Sequence, residues 1–197
     1  MDKNTLMFGV SPAYFISRFS DRFNAIDIAN SLPDLARAGF DAFQPEIFHP
    51  ETIDSWLTGG AARVDQAARD CGLSPSQFVG HFLLHAFESP EAIVAAWGVE
   101  EAEKTLTVMA GIGGCTLLTV PIPGLPLTDP RHLSPAGNAA LRARMVEKLG
   151  RMLALAERAG CRLALEITPG GPWPGIHGFL RLCGELGSDS LGYNFDT

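Results

Sequence analysis

Arg158-Ala159-Gly160-Cys161-Arg162-Leu163-Ala164-Leu165-Glu166-Ile167 is the stretch whose reading decides the fold. A glycine closes a helix here, because the left-handed conformation needed after a helix C-cap costs it nothing, and an apolar, β-leaning run follows at once. The same unit recurs along the chain. Arg37-Ala38-Gly39 precedes Phe40 to Phe48, Asp70-Cys71-Gly72 precedes Phe78 to Leu84, Gly113-Gly114 precedes Cys115 to Ile122, and Leu186-Gly187 precedes Leu191 to Asp196. Helical periodicity fills the intervals, first with Ile28, Leu32, Leu35 and Ala36, then Ala62 to Ala68, then Ile93, Ala96, Trp97, Leu106 and Met109. The clearest stripe is Leu141, Met145, Leu149, Met152, Leu153 and Ala156, with Arg142, Arg144, Glu147, Lys148, Arg151 and Arg158 on the other face. Ser89-Pro90-Glu91 and Ser134-Pro135 place a capping hydroxyl before a proline suited to a first helical turn.

With an opening strand at Leu6 to Val10, the pattern predicts six strands alternating with five helices, a connection that forces a parallel sheet with right-handed crossovers. Near-continuous apolar strands such as Arg162 to Ile167 fit a sheet covered on both faces. Two architectures compete, a (β/α)8 barrel and an open doubly wound sheet. Polar residues fall at the C-terminal ends of several strands: Glu46 on the second, His81 on the third, Glu166 on the fifth and Asp196 on the sixth. A barrel converges those ends on one pocket, whereas a doubly wound sheet uses mainly one crevice, so the spread favours the barrel. No glycine-rich phosphate loop follows the first strand, which leaves nucleotide binding of the usual kinds unsupported.

The 197 residues carry a formal charge of −7 and are 46% hydrophobic and 19% charged, the composition of one globular domain spanning 1–197. The acidic balance argues against nucleic-acid and anionic-membrane partners, which a basic face would meet. No stretch is long and apolar enough to read as a membrane span, and no signal-peptide pattern opens the chain, so the expected location is cytoplasmic. Cys71, Cys115, Cys161 and Cys183 have neither metal-binding nor disulfide-framework spacing and read as small hydrophobes.

Glu166 is the sharpest single residue, a carboxylate ending an otherwise apolar strand, where burial without a cation or donors costs several kcal/mol. Asp196 repeats the arrangement one unit later in Gly192-Tyr193-Asn194-Phe195-Asp196-Thr197. Two such carboxylates on neighbouring strand ends make half of an oxygen-rich site for Mn²⁺ or Mg²⁺. His81 could donate to a substrate oxygen or take a metal, and Glu46 could face the pocket or partner another polar group. Three loops are longer or stiffer than connections require. Ser11 to Asn24 carries Tyr14 and Phe15, Pro121 to Gly137 carries five prolines together with Arg131 and His132, and Thr168 to Gly175 carries Trp173. Tyr14, Phe15 and Trp173 could pack on the apolar face of a sugar ring, or cap the core.

Taken together, Leu-Ala-Leu-Glu166, the Asn-Phe-Asp196-Thr run, the Phe-Asp-Ala-Phe-Gln-Pro-Glu46 strand and His81 resemble the xylose-isomerase-like TIM-barrel superfamily. That group includes sugar and sugar-phosphate isomerases and epimerases, inosose dehydratases and, more distantly, the endonuclease IV group. The resemblance implies a divalent cation, Mn²⁺ or Mg²⁺ first and Co²⁺ or Zn²⁺ next, held by Glu166 and Asp196 with a further His and Glu from strands seven and eight. It implies a carbohydrate or polyol-derived substrate and enediolate chemistry, with Glu166 moving the proton and His81 orienting a substrate oxygen; Glu46, Trp173, Tyr14 and Phe15 are the further substrate contacts expected from the residues themselves. The endonuclease-like alternative fits less well, since the fourth strand ends Thr119-Val120-Pro121-Ile122-Pro123 without a histidine.

The sequence ends just after the sixth strand, which leads us to expect a barrel truncated there, lacking two βα units and having little turnover of its own. A non-catalytic barrel, or one completed by a second chain, is the alternative expectation, and a homo-oligomer is a possible assembly.

Overall fold

The structure is a computed structural model that describes residues 7–124, 134–168, 170, 172, 173 and 175–195. It contains eight strands in two sheets, one of three strands and one of five. The expected six strands of a barrel truncated after the sixth are therefore corrected. The physical reason lies in two runs that read as single strands and are each divided. The second run yields β2 (Ala42–Phe43) and β3 (Glu46–Ile47), interrupted at Gln44-Pro45, where proline has no N–H to offer a ladder. The third yields β4 (Ser74–Pro75) and β5 (Phe78–Gly80), interrupted at Ser76-Gln77. The two breaks lie side by side, for Gln77 Nε2 donates to Gln44 Oε1 at 2.7 Å and Ser76 N donates to Phe43 O at 2.9 Å.

Contacts gather in two compact units. The first comprises Met1–Val79 and Thr107–Leu117. In it β1 (Gly9–Val10), β2 and β4 pair in parallel, and β3 neighbours β5 in the larger sheet. Two helices, α1 (Ala13–Phe19) and α2 (Ala25–Arg37), follow β1. Asn24 starts α2 with a capping box: its side chain accepts from the backbone of Ile26 and Asp27 while Asp27 accepts from the Asn24 N–H. The buried positions Ile28, Leu32 and Leu35 give α2 one apolar face, which packs against α4 (Ala61–Cys71). The short α3 (Ile53–Ser55) leads to Trp56, whose ring meets Phe78 edge-on with centroids 5.5 Å apart.

The second unit comprises Gly80–Leu106 and Leu118–Thr197. Directly after β5, His81–Ala86 form a 3-10 turn, so the strand stops at Gly80 rather than running on to Leu84. A Cβ on Gly80 would come within 2.7 Å of Leu83 Cδ1, so a larger residue there would require the Leu83 side chain to shift. The apolar stretch from Ile93 to Met109 forms two helices, α5 (Pro90–Val94) and α6 (Val99–Ala110). They part at Gly98, which has φ of 96° and would bring a Cβ within 2.4 Å of Ala86 Cβ. Next come β6 (Leu117–Ile122), α7 (Pro135–Arg158), β7 (Arg162–Ile167), α8 (Gly175–Leu186) and β8 (Leu191–Tyr193), with β6, β7 and β8 adjacent in that order. Ser134 caps α7, its Oγ accepting from Gly137 N at 3.1 Å, and all six members of the predicted stripe are buried.

Candidate active site

The strand ends of β7 and β8 build the most coherent polar site. Leu163, Ala164 and Leu165 are buried and anchor β7 in register with Leu191, Gly192 and Tyr193 of β8. The next backbone link is Asn194 N donating to Leu165 O at 2.9 Å, which carries the parallel ladder past the last residue of β8. That link brings the Asn194 amide to Glu166, where Nδ2 donates to Oε2 at 3.3 Å. At its other edge β7 is tied down by Thr168, whose N and Oγ1 both donate to Ile122 O at 3.1 Å.

Glu166 is half-buried and has no ion-pair partner among the described residues. A half-buried carboxylate stabilised by one neutral amide retains acceptor capacity for a cation or a proton. A carboxylate oxygen is the donor type a hard divalent ion takes. Asp196, the second expected ligand, lies outside the described residues, as do Arg131 and His132. Among the described residues no group of three or more His, Cys, Asp and Glu side chains is arranged to hold a metal.

His81 and Trp173 belong to the same unit as Glu166. His81 is half-buried and opens the 3-10 turn after β5, one residue beyond the strand it was expected to end. Trp173 is fully buried, and its Nε1 has no hydrogen-bond partner among the described residues. The Arg142 guanidinium carbon lies 5.8 Å from the Trp173 ring centroid, a cation–π distance. In α8, a Cβ on Gly178 would meet the Trp173 carbonyl carbon at 2.4 Å.

Glu46, Tyr14 and Phe15 lie in the first unit. Glu46 is buried in β3, at 4% exposure. Tyr14 is half-buried and hydrogen-bonded to Arg18, whose guanidinium also pairs with Asp34 at 3.2 Å. Phe15 is fully buried, its ring 5.3 Å from Tyr14 and 5.6 Å from Phe23, within an aromatic cluster. The structure thus groups Glu166, His81 and Trp173 in one unit and Glu46, Tyr14 and Phe15 in the other. Sequence reasoning passed over Asn194 as a functional group. Its position two residues before Asp196, in the register that continues β8, is the signal that would have found it.

A parallel α/β protein with polar groups at its C-terminal strand ends is the class these features define. The family model described as xylose isomerase-like TIM barrel matches residues 32–197, and the chain belongs to that family. The resemblance read from the sequence is borne out.

No curated protein matches the chain. Among solved structures it is similar to a D-allulose 3-epimerase from Methylomonas sp., at 19% identity and a TM-score of 0.68, over 95% of this chain and 62% of that one. A 3-keto-D-glucoside 4-epimerase from E. coli is similar at 16% identity and a TM-score of 0.67, over 96% and 67%. A xylose isomerase-like TIM barrel protein from Mycobacterium smegmatis, in complex with magnesium, is similar at 17% identity and a TM-score of 0.62, over 98% and 65%. Likeness at these identities is one of fold. The chain spans 62% of the length of the first of these structures. Among the described residues no helix is long and apolar enough to cross a membrane.

Proposed function

We propose that the chain carries the metal-binding half-site of a sugar isomerase or epimerase that acts through an enediolate on an open-chain ketose or polyol-derived substrate. The observation that carries this reading is Glu166, a half-buried strand-end carboxylate held by the Asn194 amide and facing no cation of its own chain among the described residues. Support comes from the family and from two similar structures, both of sugar epimerases. The magnesium of the Mycobacterium smegmatis relative points to the same class of ion.

Glu166 and Asp196 would hold Mn²⁺ or Mg²⁺. An ion held there would supply Lewis-acid polarisation of the substrate's oxygens, which would make the C–H beside the carbonyl more acidic. Glu166 accepts that proton and returns it, a role suited to a carboxylate kept partly dry with acceptor capacity to spare. The Asn194 amide fixes the Glu166 carboxylate plane by occupying Oε2, which leaves Oε1 for the substrate side. His81 orients a substrate oxygen.

The test follows the proton. The chain is incubated in D2O with Mn²⁺ and D-allulose or D-fructose, and deuterium entering the carbon next to the carbonyl is followed by NMR. Slow exchange that saturates with Mn²⁺ and disappears in Glu166→Gln is the expected result. Exchange that persists in Glu166→Gln would remove the proposed role.

A further inference from the structure

Away from the strand ends, a cavity of about 320 Å³ opens between the C-terminal end of α5 (Ile93, Val94, Ala95) and α7, where Arg144, Glu147, Lys148 and Arg151 line it. Its charge is unbalanced. Arg144 and Glu147 neutralise one another at 2.8 Å, whereas Arg151 has no carboxylate partner among the described residues. Lys148 is buried at 4% exposure with no carboxylate on it. Its Nζ donates to Ala92 O at 2.6 Å and to Ala86 O at 3.1 Å, and lies 5.7 Å from the Phe87 ring centroid. An ammonium has three donors, so one N–H remains.

We propose that this cavity is a binding site for a small phosphate-type oxyanion, free or carried on a small molecule, held by Arg151 and the remaining Lys148 donor. Arg151 has no carboxylate partner among the described residues and Lys148 is held only by neutral carbonyls, so both attract an anion, and a guanidinium beside an ammonium offers the fork-and-point geometry that phosphate oxygens accept. The volume lies at the lower end of ordinary small-molecule sites, so there is room for more than the anion.

The surrounding groups agree. Burial, then the nearby Arg151, push the Lys148 ammonium down to about 8, while Glu101 pulls the other way. Glu101 is occupied elsewhere, for its Oε2 accepts from Gly98 N at 2.8 Å and its Oε1 lies 4.0 Å from Lys104 Nζ. At the end of α5, the carbonyl of Ala92 is engaged by Lys148 instead of facing an incoming anion. An oxyanion between Arg151 and Lys148 would relieve their mutual repulsion and restore the Lys148 proton.

Isothermal titration with inorganic phosphate and, separately, with glycerol 1-phosphate tests this, in amine buffers at pH 8 and constant ionic strength. The expected result is saturable binding that weakens at least tenfold in Arg151→Gln and is unchanged in Glu147→Gln. Tighter glycerol phosphate assigns a phosphomonoester, and equal affinity assigns free phosphate; both support the site. Repeating the titration in buffers of different ionisation enthalpy reads proton uptake of about half a proton per anion, since Lys148 is half-charged near its own pKa. Absence of saturable binding in the unaltered protein, or binding by Arg151→Gln equal to it, overturns the proposal.

Discussion

Raising the pH should stabilise this protein through Lys148. Its ammonium titrates at about 8 when folded, against 10.5 for the ordinary side chain. Between those values the unfolded chain binds more protons than the folded one, so unfolding free energy rises with pH across that window. Below pH 8 both states are charged, and the folded state bears the whole cost of keeping an ammonium out of water beside Arg151. Each pKa unit corresponds to about 1.4 kcal/mol, so the full difference is at most about 3 kcal/mol. Taken from about pH 7 to about pH 9.5, the linkage relation returns a gain near 2 kcal/mol. The carbonyls of Ala86 and Ala92 favour the ammonium, and a folded pKa one unit higher would bring the gain to about 1 kcal/mol. The assay is urea denaturation at several pH values, in buffer free of phosphate and sulfate, on the natural sequence and on Lys148→Met. Other groups titrate in both proteins, so the quantity read is the difference between their pH slopes. The natural sequence should gain about 1–2 kcal/mol relative to Lys148→Met over that range. Parallel slopes, or a relative loss, would refute the reasoning.

Two glycines and one cap give further tests. Gly98→Ala combines a positive φ with a Cβ placed 2.4 Å from Ala86 Cβ, and should cost about 2–5 kcal/mol in denaturant unfolding. Gly72→Ala has a similar sign of φ but open space within 4 Å, so only the backbone strain of about 1–2 kcal/mol should appear. Ser134→Ala removes the hydroxyl that accepts from Gly137 N at the start of α7, and a loss of about 1 kcal/mol is expected by thermal or urea melting.

How far the sequence could be read varies from element to element. The glycine-then-apolar unit sufficed for the parallel β/α order, because helix caps and apolar strands are local signals, while the family resemblance rested on the motifs around Glu166, Asp196, Glu46 and His81. The stripe from Leu141 to Ala156 was legible for the same reason, and its members are buried. The divided strands were not legible, since Phe40–Phe48 is continuous in hydropathy while its interruption depends on the Pro45 N–H deficit and on which sheet each piece joins. Helical period alone sets Lys148 on the face opposite the apolar stripe, yet it is buried. Burial comes from the segment between Ala86 and Ala92, which turns its carbonyls onto the ammonium, a tertiary event with no periodic trace. At the site, Glu166 stood out as a charge in an apolar strand, whereas Asn194 acts through register and a neutral amide, which composition does not mark.

Mn²⁺ binding at Glu166 is the most direct test of the account. Electron paramagnetic resonance of free Mn²⁺ during titration of the chain, compared with Glu166→Gln, separates the proposed site from scattered surface carboxylates. The account predicts saturable binding by the natural sequence that falls at least tenfold when the Glu166 carboxylate becomes a neutral amide of the same shape. Equal binding by the two proteins would contradict it.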